Sequence, residues 1–467
     1  MQKCLCERAN KFIHRFLADR EASVLAYFAI AAVALVGAAG MATDSALSYL
    51  VKSRMSKALD AAGLAAGRAA LSADLTAEAQ AFFNANFPTA YLNATITGFT
   101  VTADANSEFI TLTASADRPT TFMRLLGVTT TTVSARTVIH RQTRGMELAL
   151  VMDNTGSMRS GGKMGAMKSA AQDLIDILYG NQETLPNFWV SLIPYTAAVN
   201  IGNANFGWLD PADKYFDDPS PFEPTVWKGC VEARAAPLDQ DDTVPVDAPF
   251  TSYLYADASD NVWPPLDETN EAENDGHGPN LGCGPAITPL VPDKTTVSAG
   301  ITEMLPWHRG GTTGNLGLVW GWRALSPAWR GLWGDPNLPL DYSTPLMDKV
   351  VIMLTDGQNQ FYDHNGGGPN GSDYTAYGRL NEFGFATLDA ARAELDSRMT
   401  SICNAMKAHG IILYTITFGS APNSSTQDLY RNCATEPSYY WHAPNNSTLQ
   451  TVFHSIAEQL SNLRIAE

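Results

Sequence analysis

Met146 to Met152 and Lys349 to Thr355 are near-continuous apolar runs of strand length, and each leads directly into an aspartate, Asp153 and Asp356. Strands of that kind are buried on both faces. In a chain that alternates strand with helix, this demands a mostly parallel sheet covered by helices on either side. Open sheets gather ligands beyond the carboxyl ends of their strands. Here those ends carry Asp153-Asn-Thr155-Gly-Ser157 and Asp356-Gly, and a third piece, Gly311-Thr312, sits just ahead of a helical stretch. Hydroxyls and carboxylates with no thiol or imidazole among them select a hard divalent cation, Mg²⁺ first and Mn²⁺ or Ca²⁺ next. The competing account makes Asp153 and Ser157 caps of a helix beginning near Met164 and Asp356-Gly357 a turn. Capping does not call for the distant Thr312 piece.

The segment Leu148-Ala-Leu-Val-Met-Asp-Asn-Thr-Gly-Ser-Met158, together with Val351-Ile-Met-Leu-Thr-Asp-Gly357, resembles the von Willebrand factor A domain and its metal-ion-dependent adhesion site. The resemblance implies that Thr155, Ser157 and Thr312 ligate the ion through their hydroxyls, while Asp153 and Asp356 act through water or hydrogen bonds. It also implies a sixth position left open for a carboxylate from a protein partner. The pattern is D-x-T-x-S where D-x-S-x-S is commoner, and threonine keeps the hydroxyl. In Gly310-Gly-Thr-Thr-Gly-Asn315, Thr312 follows the glycine pair as in the family, and Thr313 is the alternative.

From 146 to 467 the expected elements are strands at Met146–Met152, Phe188–Pro194, Lys349–Thr355 and Ile411–Phe418. Helices are expected at Met164–Leu178, Val297–Leu305, Gly314–Leu325, Leu388–Ala408 and Ser447–Leu463. This is an α/β, Rossmann-like plan. Two stretches break its rhythm, residues 203–296, rich in Pro, Asp and Trp, and residues 359–386, rich in Gly, Asn and Tyr. Loops of that length usually carry function or structure of their own, so they either shape the ion site or decorate a neutral edge. Most tryptophans, Trp320 and Trp322 among them, read as core, the other reading being an exposed partner patch.

The 467 residues leave room for two or three domains at roughly 100 to 200 residues each. Ser23 to Ala42 runs for twenty residues without a charge, enough to span a bilayer core of about 30 Å. Lys3, Arg8, Lys11, Arg15 and Arg20 precede it and Asp44 follows, which predicts a basic cytoplasmic tail over 1–22, an anchor over 23–42 and an exported remainder. The apolar run exceeds that of a cleaved signal peptide, the rival reading. Leu47, Leu50, Val51, Met55, Ala58, Leu59 and Ala62 then recur at helical spacing. Asn93–Thr102, Glu108–Ala114 and Thr129–Ile139 alternate with β-branched residues, so 43–142 reads as a long helix laid on a small antiparallel sheet.

Cys4 and Cys6 precede the span, whereas Cys230, Cys283, Cys403 and Cys433 lie beyond it. Pairing Cys230 with Cys283 and Cys403 with Cys433 staples one local excursion of the chain each, worth about 3.5 to 4 kcal/mol apiece in the chain-entropy model. A net charge of −17 excludes nucleic acid as a partner. The acidic loops Asp239–Asp242 and Asp267–Asp275 read as solvated, since their spacing matches no calcium loop.

Catalytic signatures are missing from the sequence, and none of the eight histidines forms H-E-x-x-H. Gly156 to Lys163 fails as a phosphate loop because Met164 follows the lysine. The chain therefore reads as a binder, not an enzyme. Anchor, helix-plus-strand module and C-terminal domain together look like the TadE/TadG-like envelope proteins of tight-adherence (Flp) pilus systems, although no G-x-x-x-x-E prepilin signature surrounds the span. What that resemblance implies is a metal-dependent, protein-binding component of pilus assembly or anchoring in a bacterial inner membrane. An adhesin-like receptor unrelated to pili, periplasmic or on the surface, is the alternative, and a chelatase-like or hydrolytic subunit a third.

Overall fold

A computed structural model describes residues 22–68, 75–104, 108–140, 144–213, 215, 220–223, 226–263, 277–307, 309–363 and 371–464. The basic residues up to and including Arg20, Cys4, Cys6 and the acidic run 267–275 lie outside the described residues. The chain divides into two compact units, residues 1–141 and 142–467.

In the first unit one helix, α1 (Ala22–Arg68), runs unbroken from the apolar span into an amphipathic half. Its stripe of Val51, Met55, Ala58, Leu59 and Ala62 is fully buried, whereas Leu50, expected on that stripe, is half exposed. Helix α2 (Leu75–Asn86) adds Ala79 and Phe83 to the same core. The cover is an antiparallel sheet in the order β1 (Thr95–Ala103), β2 (Phe109–Pro119), β3 (Thr130–His140). Alternate residues of β2, Ile110, Leu112, Ala114 and Ala116, face the helix, the period-2 pattern of a sheet wet on its other face. Strand β2 continues five residues beyond its expected end at Ala114.

The second unit is mixed α/β. Its strands are β4 (Gly145–Asp153), β5 (Phe188–Tyr195), β6 (Val199–Asn200), β7 (Cys230–Val231), β8 (Thr288–Val291), β9 (Gly311–Thr312), β10 (Met347–Thr355), β11 (Gln360–Phe361), β12 (Ile412–Phe418) and β13 (Tyr440–Ala443). The main sheet runs β13-β12-β10-β4-β5-β6-β7, with β8 on β5; β13 through β5 are parallel and the rest antiparallel. Helices are α3 (Lys163–Tyr179), α4 (Lys294–Glu303), α5 (Gly314–Leu325), α6 (Leu388–Ala408), α7 (Ser424–Cys433) and α8 (Asn446–Arg464). Along β4, Ala149 and Val151 join the core formed with α5 and α6, and Leu148, Leu150 and Met152 join that formed with α3 and α8.

Two expectations are corrected. Helix α4 begins at Lys294, where Asp293 accepts a hydrogen bond from the Thr296 amide, and stops before Leu305 because Pro306 disfavours helix at the residue preceding it. The stretch 203–296 is also less of an excursion than expected, since it supplies β7, β8 and the start of α4. Trp208, Trp227, Trp307, Trp320, Trp322 and Trp329 are buried, so the patch reading fails for them. Both disulfides pair as expected, Cys230–Cys283 and Cys403–Cys433, at Cα separations of 5.7 and 5.2 Å.

Glu147 and Lys349 stand opposite each other in β4 and β10, buried and hydrogen-bonded. Lys349 also donates to the Leu325 carbonyl at the end of α5 (2.8 Å), and Glu147 accepts from the Leu340 amide (2.7 Å). Burial pushes the Glu147 carboxyl up and the Lys349 ammonium down, and each charge opposes the shift of the other. Glu147→Leu alone would strand a buried ammonium and is expected to cost about 3–5 kcal/mol, while Glu147→Leu with Lys349→Met restores most of it. All ten tryptophans lie in the second unit, so selectively excited tryptophan fluorescence during denaturant unfolding of the full chain reads this unit alone. Equal losses in the single and double variants would contradict the pairing.

Candidate metal centre

The strand order reverses at β4, with β5 and its neighbours to one side and β10 and its neighbours to the other. The crevice beyond the carboxyl ends of β4 and β10 is thus the switch point at which such sheets bind ligands. Asp153 ends β4 there, wholly buried. Its Oδ1 accepts from the Thr155 amide (2.8 Å) and the Thr155 hydroxyl (2.6 Å). Its Oδ2 accepts from the Thr355 hydroxyl (2.9 Å) and the Asp356 amide (3.3 Å). One carboxylate therefore ties the ends of both central strands and leaves little of itself for a direct metal bond.

Asp356, also buried, accepts a hydrogen bond from the Ser157 hydroxyl at Oδ1 and an ion-pair contact from Lys163 Nζ at Oδ2, 2.7 Å away. Thr155 Oγ1 and Ser157 Oγ lie 3.2 Å apart. Each hydroxyl donates to a carboxylate, which leaves the lone pairs of both oxygens free to accept a cation. Adjacent ligands of an octahedral Mg²⁺, each at about 2.1 Å, lie about 3 Å apart, and the Thr155–Ser157 pair fits that spacing. Gly162, with no side-chain hydrogen bond, occupies the cap position of α3, so Asp153 and Ser157 are not its caps.

Thr155, Ser157 and Thr312 line one cleft of about 290 Å³ with Arg159, Gln360 and Tyr362. Thr312 reaches it on β9, which pairs antiparallel with β11. That pairing needs Gly311: its φ is +131°, and a Cβ there would sit 2.1 Å from the Gln360 carbonyl oxygen. Thr313, the alternative ligand, is turned away, its hydroxyl donating to the Thr196 carbonyl (2.8 Å). Thus Asp153, Thr155, Ser157 and Asp356 form one hydrogen-bonded group, and Thr312 faces the same cleft. Among the described residues no three His, Cys, Asp or Glu side chains gather as metal ligands, so a cation here depends on the hydroxyls. Burial first, and then the charge of Asp356, push the Asp153 carboxyl up to about 6. A cation beside the pair would relieve both effects.

Several contributors were missed in the sequence. Lys163 entered only as the lysine of a failed phosphate loop. Arg309, just ahead of the Gly310–Thr312 loop, pairs with Asp373 (2.8 Å) and Asp260 (3.1 Å), and Asp260 pairs in turn with Arg379 (2.9 Å). Asp373 also accepts from the Gly310 amide (3.2 Å). Asp260 comes from the first long stretch, Asp373 and Arg379 from the second, so both meet on the residue that leads into the Thr312 loop. Only the acidic and basic residues themselves were visible beforehand; their meeting is tertiary.

Two outcomes follow from these contacts. A divalent ion among these oxygens would share Asp356 with the Lys163 ammonium, so Lys163→Met is expected to bind Mg²⁺ about tenfold more tightly, about 1.4 kcal/mol, by calorimetry. Unchanged or weaker affinity would remove Lys163 from the site. For Asp260, burial raises the carboxyl, but hydrogen bonds from Arg379 and Tyr255 and the charges of Arg379 and Arg309 outweigh it and hold the group below its usual value. Its stabilisation is present above the unfolded pKa, about 3.9, and is lost as pH falls through the folded value. The gap in melting temperature between wild type and Asp260→Asn should narrow from about pH 6 to about pH 3.5. A constant gap would show that the charge is not what matters.

No family model and no curated protein matches the sequence. Among solved structures, the chain is similar to the vWF domain of the type V pili tip protein Mfa5 from Porphyromonas gingivalis, at 12% identity and a TM-score of 0.36, over 70% of this chain and 97% of that one. It is similar also to the pilus adhesin SpaC from Lactobacillus rhamnosus GG, at 11% identity and a TM-score of 0.37, over 80% of this chain and 35% of that one. Proximal thread matrix protein 1 of the mussel byssus, with a zinc-occupied MIDAS motif, matches at 12% identity and 0.31, over 68% and 48%. The chain spans about a third of SpaC and about half of the byssus protein. Likeness at this level assigns neither family nor function.

Proposed function

We propose that the second unit is a von Willebrand A-type domain that holds one hard divalent cation, Mg²⁺ first, and offers its open coordination position to a carboxylate of a protein partner. Thr155, Ser157 and Thr312 would supply hydroxyl ligands. Asp153 and Asp356 would orient those hydroxyls and carry the counter-charge. The observation that carries this reading is the pairing of the two hydroxyls: Thr155 donates to Asp153 and Ser157 to Asp356, which leaves two hydroxyl oxygens 3.2 Å apart, at cation-ligand spacing, with lone pairs to offer. When bound, the ion would act as a Lewis acid toward a partner's carboxylate. The chemistry this grouping supports best is binding of that carboxylate.

The wider role we infer is that of a TadE/TadG-like envelope protein, anchored once in a bacterial inner membrane by α1, with its two units exported and engaged in pilus assembly or anchoring. The support is a helix apolar enough to cross a bilayer near the N-terminus and, beyond it, disulfides that suit an oxidising compartment. An adhesin-like receptor unrelated to pili would use the same site. A pilus secretion ATPase encoded beside this gene would favour the first role.

Calorimetric titration of the full chain in detergent with MgCl₂ is expected to give one saturable site. Asp153→Ala should abolish it, because the loss unties both strand ends and frees the Thr155 hydroxyl to turn. A titration unchanged in Asp153→Ala would overturn the metal reading.

A further inference from the structure

The turn between β2 and β3 carries a group of exposed apolar side chains: Leu125 is 82% exposed, Leu126 65%, Val128 41% and Phe122 40%. Arg124 stands among them, also exposed. Such a patch on a soluble surface calls for an explanation. Its position supplies one.

The turn is clamped to α1 at the outer end of the apolar span. Asp44, two residues past Ala42, is buried, and its carboxylate accepts the backbone amides of Thr121 (2.9 Å), Phe122 (2.8 Å) and Met123 (2.8 Å). The Arg118 guanidinium lies 3.6 Å from the same carboxylate, with both side chains almost fully buried. Phe122 packs on Gly40, inside the span: a Cβ at Gly40 would lie 2.5 Å from the Phe122 Cβ. At 1.5 Å of rise per residue, that contact sits about 3 Å inside the end of the apolar run. Since α1 is continuous from 22 to 68, the depth of the span fixes the depth of the turn.

We propose that the turn at Thr121–Val128 is a second membrane contact, with Leu125 and Leu126 set into the acyl–headgroup boundary of the leaflet that α1 leaves and Arg124 turned toward lipid phosphate. The occupant of the patch is lipid, because Phe122 seats the patch at Gly40, one helical turn from Val36, and along that apolar span Tyr27, Phe28, Ile30, Val33, Leu35 and Val36 are 59–74% exposed. An interfacial apolar wedge beside a cation is the pattern by which peripheral segments bind bilayer surfaces. The contact would hold the sheet of the first unit upright on the membrane, with Asp44 as its hinge pin. This inference rests on reading 23–42 as a membrane span.

The test uses the full chain with Cys4→Ser and Cys6→Ser, both disulfides kept, and an environment-sensitive nitrobenzoxadiazole label on one introduced cysteine. Three sites are compared in phosphatidylcholine vesicles with and without lipids brominated near the headgroup or deep in the chain: Leu125→Cys, Val33→Cys and Thr100→Cys. The proposal expects blue-shifted emission at 125 that is lost to shallow bromines, loss at 33 to deep bromines, and water-like, unquenched emission at 100. Unquenched label at 33 would overturn the membrane reading, and the wedge with it. Quenching at 33 with water-like emission at 125 would overturn the wedge alone, and blue-shifted but unquenched emission at 125 would mean that protein, not lipid, covers the turn.

Discussion

The buried carboxylate of Asp153 is the interaction on which the second unit depends. It lies where β4 and β10 diverge, and it takes two hydrogen bonds from the chain leaving its own strand and two from the neighbouring one. A buried charge without partners costs several kcal/mol, so this one is tolerated only because both strand ends converge on it. The same bonds set the direction of the Thr155 hydroxyl and bring Asp356, with Ser157 on it, to the same point. Structure and site are one network here. The Glu147–Lys349 pair lies between the same two strands near their other ends, so the strand pair is tied at both ends.

The long stretches that interrupt the α/β rhythm share a physical purpose at Arg309. The carboxylates of Asp260 and Asp373 meet on it, and Arg379 pairs with Asp260, all largely shielded from water, where such pairs are strong but must be complete. The residue then leads into Gly310 and Gly311, whose backbone shape admits no side chain, and so to Thr312. Cys230–Cys283 closes the first of these stretches. The cleft wall is consequently built from three distant parts of the chain. In the first unit Asp44 does comparable work, with one carboxylate gathering three successive amides to seat a turn against α1.

Much of this was legible in the sequence because it is periodic or local. Strand-length apolar runs ending in Asp153 and Asp356 fix the sheet. Helices α5 and α6 begin and end where their patterns do, and four of the five candidate oxygens come together by their own hydrogen bonds. Short elements escaped. Helix α7, ten residues opening on Ser-Ser-Thr-Gln, and the edge strand β13, four residues long, carry too few periods to register. Lys163 and Arg309 escaped because ion pairs between distant residues leave no trace in spacing. Asp44 was readable in principle: it lies on the same 3–4 stripe as Ser48, Val51, Met55 and Leu59, so a carboxylate sits on the buried face of a helix, and only its role as a flanking charge was recognised.

The most direct measurement is an anomalous difference map from crystals of the protein grown with MnCl₂, collected near the manganese edge. The account predicts one strong peak in the cleft, within coordination distance of Thr155 Oγ1, Ser157 Oγ and Thr312 Oγ1, with Asp153 still bound to Thr355. A cleft without a peak at saturating Mn²⁺, or manganese bound elsewhere while Lys163 keeps Asp356, would contradict it.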